Sequence, residues 1–324
     1  MMLLSVKNLK TYFFTDTNVA KAVDDISFDI PEGKTLCLVG ESGSGKSITS
    51  LSIMRLIEKP GKIVDGKVIL NDKDLLTLSE KEMKNIRGSK ISMIFQEPMT
   101  SLNPSYTVGF QIMETLKLHN KLSKKELREK AIEALNLVAI PSPEERLKEY
   151  PFKLSGGMRQ RVMIAMAMAC NPNLLIADEP TTALDVTIQA QVLALMNDLN
   201  EKKNTSILFI THDLGVVAEM ADYVAVMYTG KIVEKSTVEN IINSPKHPYT
   251  EGLLMSLPQK GKTERKSKLY SIEGNVPSLF NLPEGCTFWP RCPFAKDICK
   301  KEKPVLEKIT DNHEVACFKV QGKF

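Results

Sequence analysis

The chain has 324 residues, with 43 Lys and Arg against 39 Asp and Glu for a net charge of +4, and its apolar fraction of 43% is enough to bury a sizeable core. That balance, with no long basic stripe interleaved with aromatic residues, argues against nucleic acid as the main partner. The longest uncharged apolar stretch, residues 162–170, falls far short of the roughly 20 residues of a membrane-spanning helix, so any membrane role is expected to go through partner subunits.

In chain order, Met1-Met2-Leu3-Leu4-Ser5-Val6-Lys7 is too short an apolar run for a secretory signal and reads as a first strand. Apolar runs at 35–39, 91–95, 174–177 and 207–210 suit strands buried on both faces of a parallel sheet, and each ends on a polar residue or glycine where such sheets place ligands. From 105 to 151 the pattern turns charged and helix-favouring, with Ser123 and Glu126 spaced as a capping box, which predicts an inserted helical segment. Residues 223–234 read as a hairpin turning at Thr229-Gly230, and the Lys-rich stretch 259–268 reads as a linker or exposed loop.

The first apolar run at 35–39 leads into Gly40-Glu41-Ser42-Gly43-Ser44-Gly45-Lys46-Ser47 and a helix-compatible stretch, the context that a phosphate-binding P-loop requires. Glycines let the backbone approach phosphate closely, and N–H groups at a helix start bind anionic oxygens. Lys46 is expected to reach the β- and γ-phosphates of ATP and Ser47 to ligate Mg²⁺. The 174–177 run ends in Asp178-Glu179; alone such a pair is an ordinary solvated strand end, but beside a P-loop it predicts a Mg²⁺ carboxylate and a group that polarises the attacking water. In-line hydrolysis of the γ-phosphoryl group is the expected reaction.

Leu154-Ser155-Gly156-Gly157-Met158-Arg159-Gln160-Arg161 precedes Asp178, and with it the chain resembles the nucleotide-binding subunits of ATP-binding cassette (ABC) proteins over about residues 1–255. Gln96 in Phe95-Gln96-Glu97-Pro98, Ala183-Leu184-Asp185 and His212 in Thr211-His212-Asp213 follow in that family's order. The resemblance implies an α/β P-loop NTPase with a RecA-like core, an antiparallel β subdomain and a helical subdomain at about 105–160. It implies that Gln96 senses Mg²⁺, that His212 contacts the γ-phosphate, and that an aromatic ring at Tyr12 or Phe13, Phe13 by alignment, stacks on adenine. Outside that company Gln96 would be a polar strand end, His212 a surface histidine, and either ring a piece of core. Ser155, Gly156 and Gly157 would serve the ATP of an opposite subunit, so that one chain is half of a catalytic pair, and Asp185 is expected among the nucleotide-binding residues. Met158 departs from the Gln commonest there, which bears on the inference of that trans contact but not on that of ATP binding.

Cys286, Cys292, Cys299 and Cys317 are spaced C-x5-C-x6-C-x17-C in the tail, whereas Cys37 and Cys170 read as small buried hydrophobes, Cys170 closing an apolar helix. A C-x2-4-C zinc pair does not occur, and four thiolates at longer spacing can wrap a [4Fe-4S] cluster; zinc and four free thiols are the alternatives. Lys246-His247-Pro248-Tyr249-Thr250, Gly285-Cys286 and Pro290-Arg291-Cys292-Pro293 resemble the C-terminal extension of oligopeptide and dipeptide importer ATPases, nickel and other small solutes being carried by close relatives. A nucleotide-binding domain at 1–242 and a metal-binding extension at 243–324, its cysteine region at about 270–324, are therefore expected. The resemblance also implies two transmembrane permease subunits, a second ATPase subunit, an extracytoplasmic solute-binding protein, and a location on the cytoplasmic face of the membrane. A soluble ABC ATPase acting on nucleic acid or in translation would carry two cassettes or a coiled-coil insertion, neither of which is present. A non-catalytic scaffold would be expected to lack Glu179 or His212.

Overall fold

A computed structural model describes residues 1–96, 101–182, 184–257 and 270–324; the expected linker at 259–268, and Glu97, Pro98 and Ala183, lie outside the described residues. The strands in chain order are β1 Met2–Phe14, β2 Val19–Pro31, β3 Thr35–Val39, β4 Gly61–Leu70, β5 Lys73–Asp74, β6 Ile91–Ile94, β7 Leu174–Asp178, β8 Ser206–Thr211, β9 Tyr223–Tyr228, β10 Lys231–Thr237, β11 Glu307–Thr310 and β12 His313–Val315. The chain divides into two compact units, one built from residues 1–4, 30–35 and 70–210, the other from 5–29, 36–69 and 211–324.

In the first unit β6, β7 and β8 run parallel, Ile91 facing Leu174 and Leu174 facing Ser206. Every residue of β7 and β8 is buried, as apolar runs without alternation specify. The helix-favouring stretch forms Val108–His119, Lys124–Leu137 and the short Pro143–Arg146, and the first two pack with Gly156–Met168. The capping box forms as spaced: Ser123 Oγ accepts from the Glu126 amide at 3.3 Å, and Glu126 Oε2 accepts from the Ser123 amide at 2.7 Å. Cys170 differs from expectation. The helix closes at Ala169, and Cys170 is half-buried in the following turn, its sulfur accepting from Asn120 Nδ2 at 3.7 Å.

In the second unit β1 lies between β2 and β4, and β3 pairs in parallel with β9. The expected hairpin forms, β9 turning at Thr229-Gly230 into antiparallel β10. β12 takes the other side of β10, Glu234 facing Val315 and Ser236 facing His313, and gives the order β11-β12-β10-β9-β3. The tail, read from sequence for its cysteines, therefore also contributes two strands. Glu234 anchors this junction while fully buried: its carboxylate accepts from the amides of Lys246 at 2.7 Å and His247 at 3.0 Å and bonds His313 Nε2 at 2.6 Å. Burial alone would push this carboxyl up, but His313 and the two amides outweigh it and hold it below the ordinary carboxylate range.

Candidate functional site

The phosphate loop lies in the second unit, between β3 and the helix Lys46–Met54. Gly43 and Gly45 hold φ values of +77° and +103°, and a Cβ on Gly45 would overlap the Ala22 carbonyl oxygen, so the turn admits glycine there. Gly45 opens the helix through its backbone; among the described residues no side chain caps it, which suits a helix start that receives an anion. Lys46 is only 5% exposed, and its Nζ donates to the carbonyls of Gly40 at 2.8 Å and Glu41 at 3.1 Å. Ser44 Oγ is buried with no hydrogen-bond partner among the described residues, while Ser44 O accepts from the Gly230 amide at 2.9 Å, so the hairpin turn braces the loop. Ser42 and Gly43 are exposed and Ser47 is half-buried at the helix start. A buried ammonium, a glycine cradle and an orphaned hydroxyl fit the phosphate chain of a nucleotide.

Tyr12 and Phe13 point to opposite faces of β1. The Tyr12 hydroxyl donates to Asp24 at 2.6 Å, and Lys21 Nζ sits 5.6 Å from its ring centroid. Burial and the Asp24 carboxylate push the Tyr12 phenol upward. His212 is exposed, directly before Asp213, whose Oδ1 accepts from the Gly215 amide at 2.8 Å to cap the helix Leu214–Met220.

In the first unit Asp178, 4% exposed, ends β7, and Glu179 follows at a left-handed φ of +46° with its amide donating to Ile210 O at 2.9 Å. Glu179 Oε2 accepts from Gln96 Nε2 at 3.2 Å and from Thr182 Oγ1 at 3.0 Å. Gln96, Asp178 and Glu179 are thus brought together at the ends of neighbouring strands. Ser155 caps the helix Gly156–Met168, its Oγ accepting from the Met158 amide at 3.3 Å. Asp185 does the same for Val186–Lys203 through the Ile188 amide at 3.0 Å. Gly157 packs against Ile188, whereas a Cβ at Gly156 would meet no described atom within 4 Å.

The four tail cysteines of the second unit all line one narrow apolar cavity. The Cys286 amide donates to Cys299 O at 2.8 Å, and Gly285 packs so closely there that a Cβ would overlap that same oxygen. Burial pushes the Cys286 thiol up to about 12 and raises those of Cys292 and Cys317, each further raised by neighbouring cysteines. Among the described residues no three His, Cys, Asp or Glu side chains stand close enough to hold one metal ion. A tetrahedral zinc ion at 2.3 Å from each sulfur would require sulfurs about 3.8 Å apart. The four cysteines of the extension thus line one cavity, and among the described residues they form no single-ion site.

Residues 23–182 match the family described as "ABC transporter", and residues 233–299 match "Oligopeptide/dipeptide transporter, C-terminal region". Over 318 residues the chain is 58% identical to the oligopeptide transport ATP-binding protein AppD of Bacillus subtilis (strain 168), covering 98% of this chain and 96% of that one. The chain belongs to the ABC transporter ATP-binding proteins of the oligopeptide/dipeptide type. It is 50% identical over 317 residues to the dipeptide transport ATP-binding protein DppD of Escherichia coli (strain K12), covering 98% and 96% of the two chains. A solved dimeric ATP-binding cassette in a post-hydrolysis state, bound to ADP and Pi, superposes with a TM-score of 0.66 at 28% identity, over 73% of this chain and 99% of that one. These similarities support an ATPase and do not favour the nucleic-acid or scaffold readings. Among the described residues of this ABC ATPase no helix is long and apolar enough to cross a membrane.

Sequence reasoning missed three residues around the phosphate loop of this ABC ATPase. The Glu41 amide donates to the hydroxyl of fully buried Tyr249 at 2.9 Å, and the Glu41 carboxylate receives both terminal nitrogens of Arg291, at 2.6 and 3.1 Å. Tyr249 and Arg291 stood inside the tail motifs, but nothing in their spacing ties them to position 41.

Proposed function

We propose that this chain hydrolyses ATP to energise import of di- and oligopeptides. It would work at the cytoplasmic face of the membrane with two transmembrane permease subunits and a second ATPase chain, related or identical, and with an extracytoplasmic solute-binding protein presenting the cargo. The observation that carries this reading is the match of residues 233–299 to the peptide-transporter C-terminal region on the same chain as the phosphate loop. Residues 1–242 act as the nucleotide-binding domain and 243–324 as the extension.

In this reading Lys46 and the backbone of Gly40, Ser42, Gly43, Ser44 and Gly45 bind the phosphates. Ser47, Asp178 and Gln96 would hold Mg²⁺, which when bound offsets charge on the phosphate oxygens. Glu179 takes the proton of the attacking water, its carboxylate oriented by Gln96 and Thr182. His212 contacts the γ-phosphate. Phe13 stacks on adenine, since Tyr12 is engaged by Asp24 and Lys21. Ser155, Gly156, Gly157 and Asp185 serve the nucleotide of the partner chain, a role favoured by the open space at Gly156.

Cys286, Cys292, Cys299 and Cys317 would hold a [4Fe-4S] cluster, which when bound cross-links a short tail through four thiolates. Support comes from the cavity that all four share.

Peptide uptake into vesicles carrying the reconstituted complex tests the transport reading. Glu179→Gln should lower ATP turnover and uptake by about a hundredfold or more with nucleotide binding retained, and Lys46→Ala should lose binding as well. Uptake that survives either change, or a wild-type complex that moves no peptide, would sink it. Anaerobically purified full chain should be brown with about four irons per chain, whereas colourless protein with one zinc would remove the cluster.

A further inference from the structure

A carboxylate at the second position of a loop built to receive a polyphosphate is an electrostatic conflict. Glu41 lies five residues before Lys46, and its side chain is 30% exposed. Left bare, it would repel the anion that the glycine cradle and Lys46 attract.

Arg291 resolves the conflict. Its side chain is 4% exposed, and its two terminal nitrogens meet the two carboxylate oxygens of Glu41 in a fork-to-fork pair. The guanidinium is itself fixed from behind: Nε donates to Glu273 O at 3.1 Å, one terminal nitrogen donates to Ile272 O at 3.4 Å, and the group lies 5.9 Å from the centre of the Tyr228 ring. Five donors on a rigid plane are largely used, so the group has one well-defined position. Arg291 ends the turn Trp289–Arg291, directly before Cys292, and that turn is tied to the body of the second unit by Phe288, which packs edge-on to Tyr228 at 5.3 Å and against Tyr249 at 5.4 Å. Tyr249 in turn accepts from the Glu41 amide. Backbone and side chain of one loop residue are therefore both held from beyond residue 247.

We propose that Arg291 is a positioning residue for nucleotide binding: it neutralises Glu41 and pins the phosphate loop, so that the cysteine-bearing extension completes the loop of its own chain. The inference rests on the reading of residues 40–47 as the ATP site. A loop that is competent only part of the time weakens apparent affinity by that fraction.

The test measures Mg-ATP binding by the full chain and steady-state hydrolysis by the reconstituted complex. Arg291→Gln should raise Kd and KM for ATP on the order of tenfold, with kcat changed less than about twofold. Glu41→Gln, which leaves Arg291 its carbonyl partners, should cost less. Combining the two should recover most of the loss, because the uncompensated carboxylate is gone, and Arg291→Lys should fall between wild type and Arg291→Gln. An unchanged KM in Arg291→Gln, a double variant at least as impaired as Arg291→Gln, or a loss confined to kcat would overturn the proposal; the second result would mean that Arg291 only docks the extension. Lys46→Ala, measured alongside, keeps the two readings apart. If it leaves binding intact, the ATP site and this inference both fail; if it abolishes binding while the Arg291 and Glu41 variants bind normally, only this inference fails.

Discussion

The turns of the phosphate loop rest on its own residues, with Gly43 and Gly45 at positive φ and Lys46 folded back on the carbonyls of Gly40 and Glu41. In the extension the ordering contacts come from far along the chain: His313 reaches Glu234 across 79 positions and Arg291 reaches Glu41 across 250. A loop whose turns are local is most vulnerable at its own glycines, with Arg291 and Tyr249 bracing it from outside. A segment tied down by a few remote anchors is vulnerable at each anchor, because loop-closure entropy must be repaid by very few contacts.

Glu234→Ala attacks the anchored region and should show the largest effect. It strips His313 and the amides of Lys246 and His247 of a buried acceptor, which costs about 3–5 kcal/mol. Hydrogen exchange should then accelerate across β12 and residues 246–247 well before β3 and β9; uniform protection across the unit would erase the contrast.

Acidification should act on the same region more gently. Burial pushes the pKa of His247 down to about 4, against about 6.5 for an unfolded histidine, with the Glu234 charge opposing the shift. Between those values the unfolded chain binds a proton that the native chain refuses, so stability is full above pH 6.5 and declines by about 3 kcal/mol as pH falls to 4. Glu234, held below the ordinary carboxylate range, adds a loss of the same sign at lower pH. A thermal midpoint flat between pH 7 and 5 would contradict this.

Gly45→Ala addresses the loop. A left-handed φ and overlap with Ala22 O should cost about a hundredfold in ATP affinity while exchange in the extension stays as in wild type. If the extension loosened as well, the division between the two regions would be less sharp than the contacts indicate.

What could be read from sequence follows the same line. β3, β7 and β8 announce themselves as unbroken apolar runs, the P-loop as a fixed spacing, and the Lys124–Leu137 helix as Ser123 with Glu126, because each signal is complete within a few residues. β11 and β12 gave no such signal. They are four and three residues long and half charged, and they form because β10 offers an edge and Glu234 a partner. Of the candidate site, Gln96 and Glu179 were each singled out from motif order, and the structure adds the hydrogen bond between them. Arg291 meeting Glu41 was not expected, since a salt bridge leaves no trace in the spacing of its members. Cys170 misled because apolar neighbours in the chain stood in for burial in space.

Pairing β12 onto β10 also decides which strand is left unpaired on one side. Without residues 307–315, the seven-residue β10 would present an open hydrogen-bonding edge beside Ile232 and Val233, a template for self-association. With them, the outermost strand is the short β11, which carries Glu307 and Lys308 and slips register before Thr310, a poor template for any neighbour. Residues 307–315 thus cover an edge that β10 would otherwise leave open, and removing them while sparing every nucleotide-binding residue should cost solubility.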